Sequence, residues 1–402
     1  MEIKEVNENR NIREIKARQV EMEIAKRKKI RIRVILAVIV ILVAVSIINM
    51  YSTNILDEKF KGIMQKHVIF LLGAVSVSAV CSNIPYRLLD SKRFSLLILL
   101  GSVFALFFML AGGKLLPGLI PNVKGTKGWI KLGPLGLQPA EFLKLPFIIL
   151  IAHHLAACER KNIRNLGIVA NVFPVFAIFA LLIFLQNDTG TCIHYALIWG
   201  FMLLFANIDL KYIAYATIFI VCGIGGLISY VLGQSGDGLS GYKLKRIRFF
   251  ITGLMTGQYD REIGYQVGQS ILAFGNGGWK GRGYFNGTQK YGYLPEVRTD
   301  FILATIGEEF GFIGLLMVFI LFFLLFNVTR STAMDLDNPF GKYLAVGIGG
   351  FIISQMFINL FVVIGLMPVM GVPMPILSSG GTSIFTIFLS LAIITNMNFN
   401  NN

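Results

Sequence analysis

Asp300 stands where a long polar stretch gives way to an apolar one, in Leu294-Pro295-Glu296-Val297-Arg298-Thr299-Asp300-Phe301. A carboxylate so placed suits proton abstraction from a bound hydroxyl. The same position suits a helix cap, since Thr299 or Asp300 can accept orphan backbone N–H bonds. Glu141 and Lys144 share one face at the start of an apolar helix. Ionisable residues there either face a cavity or form a structural pair. Tyr242-Lys243-Leu244-Lys245-Arg246-Ile247-Arg248-Phe249-Phe250 interleaves four cations with apolar side chains. That pattern fits headgroup anchoring or a pocket for a lipid-linked diphosphate, whose charge needs several cations.

Other candidates carry less chemistry. Asp188, in Asn187-Asp188-Thr189-Gly190-Thr191, marks a break between two apolar runs and suits a cap. His153, His154 and His194 have no carboxylate or cysteine at metal spacing and read as packing residues. Gly281-x-Gly283 lacks the strand and helix that a nucleotide fingerprint needs. Cys81, Cys158, Cys192 and Cys222 form no C-x-x-C pair and read as small buried hydrophobes. Neither a Walker motif nor a Gly-x-Ser-x-Gly elbow is present.

The elements that must position these residues are membrane spans. Of 402 residues, 55% are hydrophobic and 15% charged, against about 25% charged in a soluble chain. That excludes a set of soluble domains, a disordered chain, a disulfide scaffold and a fibrous repeat. The net charge of +15 fits anionic headgroups rather than nucleic acid. Uncharged runs cover 34–56, 68–86, 94–113, 145–158, 165–187, 189–208, 212–236, 310–329 and 343–402. The run at 145–158 reaches spanning length only by taking in Glu141 and Lys144. Pro368, Pro373, Pro375 and Gly380-Gly381 divide the last run in two. The expectation is an all-α integral membrane protein of about ten transmembrane helices, with a large extracytoplasmic loop between helices 7 and 8.

Arg18 to Arg33 holds seven Lys/Arg against two Glu, which predicts a cytoplasmic N-terminus; an even number of helices returns the C-terminus to that side. Residues 1–30 read as a basic, partly helical cytoplasmic tail and 31–402 as one polytopic membrane domain. A charged segment ahead of the first apolar run speaks against a cleavable signal peptide. Two loops, 114–140 and 233–300, fall outside, and the second, being long and without periodicity, reads as functional or disordered. No internal repeat supports an inverted-repeat transporter.

Several motifs in one order resemble the SEDS family of bacterial membrane proteins (RodA, FtsW, SpoVE). They are Gly128-Trp129-Ile130-Lys131-Leu132-Gly133, Gln138-Pro139-Ala140-Glu141-Phe142-Leu143-Lys144 and Asp188-Thr189-Gly190-Thr191. Gly264-Tyr265-Gln266, Gln269-Ser270, Gly287-Thr288-Gln289 and the Leu294–Ile302 stretch follow. Pro368-x-x-Gly371-x-Pro373-x-Pro375 and Ser378-x-Gly380-Gly381-Thr382-Ser383 complete the series. The resemblance covers nearly everything after the tail. Arg298 stands where the family usually has His, and Ser379 where it usually has Tyr. Lys66-His67 and Gly128 also depart from the usual residues.

The resemblance implies a bacterial cytoplasmic-membrane glycosyltransferase that polymerises lipid II into glycan strands on the outer face. It implies Asp300 as the essential acid, acting as general base for the acceptor 4-hydroxyl. Substrate contacts are expected from Glu141 and Lys144, from Trp129, Gln289, Glu296 and Arg298 of the matched motifs, and from Arg246 and Arg248 on composition. Arg298, so near Asp300, would lower its pKa and weaken it as a base. A class B penicillin-binding protein partner and stimulation by a divalent cation (Mg or Mn) are further implications, although the sequence offers no identifiable metal ligands. Gly371-Val372-Pro373-Met374-Pro375 and Met370 look more like RodA than FtsW, which predicts the elongation branch and a role in rod shape. A lipid II flippase and a non-catalytic scaffold for a transpeptidase are the rival readings.

Overall fold

The computed structural model describes residues 2–54, 61–122, 126–133, 135–233, 248, 250–253, 255–256 and 264–399. Its helices are α1 (Glu2–Asn54), α2 (Lys61–Cys81), α3 (Lys92–Leu115), α4 (Pro139–Phe142), α5 (Lys144–Arg160), α6 (Leu166–Leu185), α7 (Thr189–Leu204), α8 (Leu210–Gly233), α9 (Tyr265–Gly277), α10 (Ile302–Met334), α11 (Pro339–Val363) and α12 (Gly381–Phe399). Among the described residues, eight helical segments are long and apolar enough to cross a membrane, counting α4 and α5 as one, and α7 and the apolar part of α8 are shorter candidates. The chain is an all-α membrane protein; its one small sheet pairs β1 (Ile130–Leu132) with β2 (Leu135–Leu137).

Burial separates inner from outer helices. In α4–α5, α11 and α12, 67%, 78% and 72% of the apolar window is enclosed by protein, against 22–33% in the other long spans. The bundle is therefore built around α5, α11 and α12, and the remaining helices turn most of their apolar surface outward, as lipid-facing helices do. Among its described residues α8 has no buried side chain.

Several expectations need correction. The basic segment is not separate from the first span: α1 runs unbroken from Glu2, and its Arg31 pairs with Asp335 at 2.6 Å. The fourth span is broken at Leu143. Pro146 lacks the N–H that would bond the Phe142 carbonyl, and its ring clashes there, so the first turn separates as α4. As expected from the position of Asp300, a helix containing Glu308 and Glu309 follows it: α10 starts at Ile302, ahead of the uncharged run at 310, and both glutamates are buried in its first turns. The stretch before it is folded, with α9 followed by a segment bound to α10.

That binding explains Gly281-x-Gly283. Helix α10 is interrupted at Gly311, whose φ of 66° and ψ of −165° only glycine adopts readily. The freed carbonyls of Glu308 and Glu309 accept the N–H groups of Arg282 and Gly283, and Phe312 and Ile313 donate to Gly278 and Trp279. Broken helices in membranes persist only when such groups are satisfied. Exposed apolar side chains on α10 begin at Phe312; every residue of the piece 302–311 is buried or half-buried within the protein. Of the cysteines, only Cys158 is buried; none forms a disulfide, and Cys222 is exposed. His153 has the carboxylate partner that spacing did not reveal: Asp90, at 2.9 Å.

Candidate functional site

The ends of α1, α3, α6 and α11 and the starts of α4, α7, α10 and α12 meet at one end of the bundle, and Asp300 lies among them. Its turn is shaped locally by Glu296, which sits at φ 55°. The Glu296 carbonyl accepts from the N–H of Thr299 and of Phe301, and its carboxylate accepts from Thr299 Oγ1 at 3.0 Å. The N-cap of α10 is Phe301, one residue beyond Asp300.

Three successive carbonyls of this turn are held from outside. Ser379 N–H donates to Arg298 O at 3.0 Å, Ser378 Oγ to Thr299 O at 2.6 Å, and Asn359 Nδ2 to Asp300 O at 2.8 Å. Asn359 also donates to Val372 O at 2.9 Å, joining α11, the Asp300 turn and the 364–380 connection. That connection enters the bundle as irregular chain, with Val372, Met374, Ile376 and Leu377 buried. The half-buried Asp300 faces it: a Cβ added to Gly371 would lie 3.7 Å from Asp300 Oδ2. The Ser379 bond uses backbone, so it tolerates loss of the family's usual Tyr. The Arg298 guanidinium donates to Thr53 O at the end of α1.

Glu141 and Lys144 form an ion pair across the α4–α5 break, and Lys144 is fully enclosed. Its ammonium also lies 5.8 Å from the Phe351 ring centroid. Direct contact of Lys144 with a ligand, expected from sequence, is therefore not what this conformation presents. The broken turn is fixed by Tyr195, whose hydroxyl donates to Ala140 O at 2.7 Å. Asp188 caps α7 through the Thr191 N–H and accepts from Gln138 Nε2 at 2.8 Å, tying α7 to the start of α4. Trp129 is half-buried and packs over Gly136 in the hairpin.

A second ion pair was not expected. Lys290 Nζ reaches Glu309 Oε1 at 2.5 Å, with both side chains at most 1% exposed. Lys290 also donates to Ser52 Oγ at 2.7 Å and Phe285 O at 3.0 Å, while Ser52 donates to Glu309 at 2.6 Å. Beside it, Glu308 accepts from Thr288 Oγ1 at 2.8 Å and from the Gln289 N–H at 3.0 Å. Gln289, expected on a ligand, thus binds α10 through its backbone. Tyr284 donates to Ile48 O; burial, then Glu309 and Tyr51, push its phenol above the ordinary range. The last turn of α1 holds both the Lys290 cluster and, through Thr53, Arg298.

Arg248 is helical and half-buried; Arg246 lies outside the described residues. Among the described residues no group of three or more His, Cys, Asp or Glu could hold a metal ion. The sequence signal for the missed pair was present but weak: adjacent Glu308 and Glu309 inside an apolar span require partners, and Lys290 is the upstream cation that supplies one.

A family model described as "Cell cycle protein" (FtsW/RodA/SpoVE) matches residues 27–402. A protein of Trichlorobacter lovleyi named probable peptidoglycan glycosyltransferase FtsW is 33% identical over 337 residues, 83% of each chain. One of the same name from Geobacter sulfurreducens is 32% identical over 356 residues, 88% of this chain and 89% of its own. Among solved structures, a chain described under "structural coordination of polymerization and crosslinking by a peptidoglycan synthase complex" has a TM-score of 0.70 at 19% identity, covering 90% of this chain and 96% of that one. The rod shape determining protein RodA of Thermus thermophilus gives 0.59 at 19% identity, covering 91% and 97%. The structural likenesses concern the fold; with the family match over nearly the whole chain and relatives above 30% identity, the chain belongs to the FtsW/RodA/SpoVE (SEDS) family.

Proposed function

We propose that the chain is a peptidoglycan glycosyltransferase that polymerises lipid II at the outer face of the bacterial cytoplasmic membrane, with Asp300 as general base. The observation that carries this reading is a half-buried carboxylate two residues before a candidate membrane span, on a turn whose three successive carbonyls are all held by fixed donors. Such fixing suits a group that must stay within hydrogen-bond reach of one hydroxyl. Asp300 takes the acceptor's 4-hydroxyl proton as its oxygen bonds to the donor's anomeric carbon from the face opposite the leaving group. The bond from that carbon to the diphosphate breaks, and undecaprenyl diphosphate departs with the electron pair. The configuration inverts, and no general acid is needed on so good a leaving group once its charge is met.

The starts of α4, α7, α10 and α12 direct their positive dipole ends toward this region, supporting diphosphate binding there together with Arg246 and Arg248. Lys144 and Glu141 hold the α4–α5 break and add the field of a buried pair. Trp129 and Glu296 are the side chains we assign to sugar contacts. The basic start of α1 supports cytoplasmic termini, with Asp300 outside. The likeness to a chain from a peptidoglycan synthase complex supports a class B penicillin-binding protein as partner. Gly371–Pro375 and Met370 favour the elongation branch, whereas the relatives in sequence carry the division-branch name FtsW. Depletion in a rod-shaped host separates the two, by rounding or by filamentation.

The decisive test is purified protein with lipid II in detergent. Wild type should form polymer, which a flippase has no means of doing. Asp300→Asn should remain folded and partner-competent yet lose about 100- to 10,000-fold in rate. Activity within a few-fold of wild type would refute the base assignment and leave Asp300 with a structural role at the start of α10, whereas no polymer from wild type would favour the flippase or scaffold reading.

A further inference from the structure

At the opposite end of the bundle, α7, α10 and α11 enclose a cavity of about 240 Å³ that none of the preceding chemistry uses. Phe201, Phe205, Phe326 and Val346 supply apolar walls, and Arg330 and Lys342 are the two cations among its lining residues. The walls are set by packing rather than left to collapse. A Cβ at Gly350 would come within 2.3 Å of the Phe201 ring, so that ring sits directly on α11. Phe201 also meets Phe205 and Phe326, with centroids 5.3 and 5.9 Å away.

Among the described residues no carboxylate neutralises the two cations. Asp335 pairs with Arg31, Asp90 with Arg160 and His153, and Asp209 with Lys211, and neither Glu159 nor Asp337 forms an ion pair with Arg330 or Lys342. Among the described residues neither Arg330 nor Lys342 has an ion pair, and both are exposed. Arg330 lies in the last turns of α10 and Lys342 in the first turn of α11. Phe326 and Val346 lie about one turn, roughly 6 Å, deeper. Charge at the interface and an aromatic wall one turn further in match the phosphate and the glycerol-acyl junction of a phospholipid.

We infer that this cavity is a binding site for one anionic phospholipid of the surrounding leaflet, with its phosphate on Arg330 and Lys342 and its upper acyl chain against the phenylalanines. Basic pockets between transmembrane helices on the cytoplasmic side recognise anionic headgroups in this way, and the site is separate from the polymerising end.

The full chain, reconstituted in bilayers of equal phosphatidylglycerol and phosphatidylcholine, is extracted gently and its retained lipid counted by native mass spectrometry. Wild type should retain one phosphatidylglycerol in preference to phosphatidylcholine. Each basic residue near the membrane surface contributes about a factor of five, so Arg330→Gln with Lys342→Gln should lower that retention about 25-fold. Lys161→Gln with Arg164→Gln, on the exposed loop at the same end, should leave it unchanged. Equal retention of the two lipids by wild type, unchanged retention in the first variant, or an equal loss in the second would overturn the proposal.

Discussion

Replacing Lys290 with methionine keeps an unbranched side chain one atom shorter and removes a charge from the interior. Glu309 would then be left as a buried carboxylate whose Oε1 keeps only the Ser52 hydroxyl, at 2.6 Å, and whose Oε2 already has no partner among the described residues. Phe285 O would lose its 3.0 Å donor as well. Breaking a buried pair in this way costs about 3–5 kcal/mol. Replacing both partners with apolar groups of similar volume is often neutral or better, so Lys290→Met with Glu309→Leu should recover most of the loss. The two changes should therefore be coupled by about 2 kcal/mol or more. Denaturation by SDS in mixed micelles measures both quantities. Lipid II polymerisation should fall in the single variant, because Ser52 and Thr53 share one turn of α1 and Thr53 anchors Arg298, two residues from the proposed base Asp300. A single variant within about 1 kcal/mol of wild type, or a double variant no more stable than the single, would refute this reading of the cluster.

Three further changes test how the outer segment and the Asp300 turn are held. A Cβ at Gly277 would fall 1.9 Å from Gly307 O, whereas one at Gly275 meets nothing within 4 Å. Gly277→Ala should force α9 off α10 and lower stability by at least about 1–3 kcal/mol, while Gly275→Ala in the same helix should be neutral or stabilising by up to about 1 kcal/mol; equal thermal stability of the two would contradict the packing. Asn359→Leu removes the donor to Asp300 O and Val372 O. Each stranded carbonyl costs about 1–3 kcal/mol, and kcat should fall more than KM rises, since the base loses its placement while the sugar contacts remain; an unchanged kcat would exclude a positioning role for Asn359.

What the sequence determined by itself follows from short-range rules. Apolar runs of spanning length, the Pro and Gly breaks and the basic start of α1 prescribe helices and suggest their orientation, because the bilayer demands about 20 apolar residues per crossing. The pairing of Glu141 with Lys144 was legible from their i, i+3 spacing, although the helix breaks between them at Leu143. The Asp188 cap was legible for the same local reason. Tertiary structure decided the rest. Lys144 is enclosed by residues distant in sequence, Phe351 of α11 among them; Ser52 meets Glu309 across 257 residues, and Ser378 and Asn359 reach the Asp300 turn from 79 and 59 residues away. Gly281 and Gly283 carried no interpretable pattern until the interruption at Gly311 exposed carbonyls for them to meet. No periodicity encodes such contacts, because each is fixed by where two separately specified helices cross and by the requirement that every polar group shut away from water find a partner.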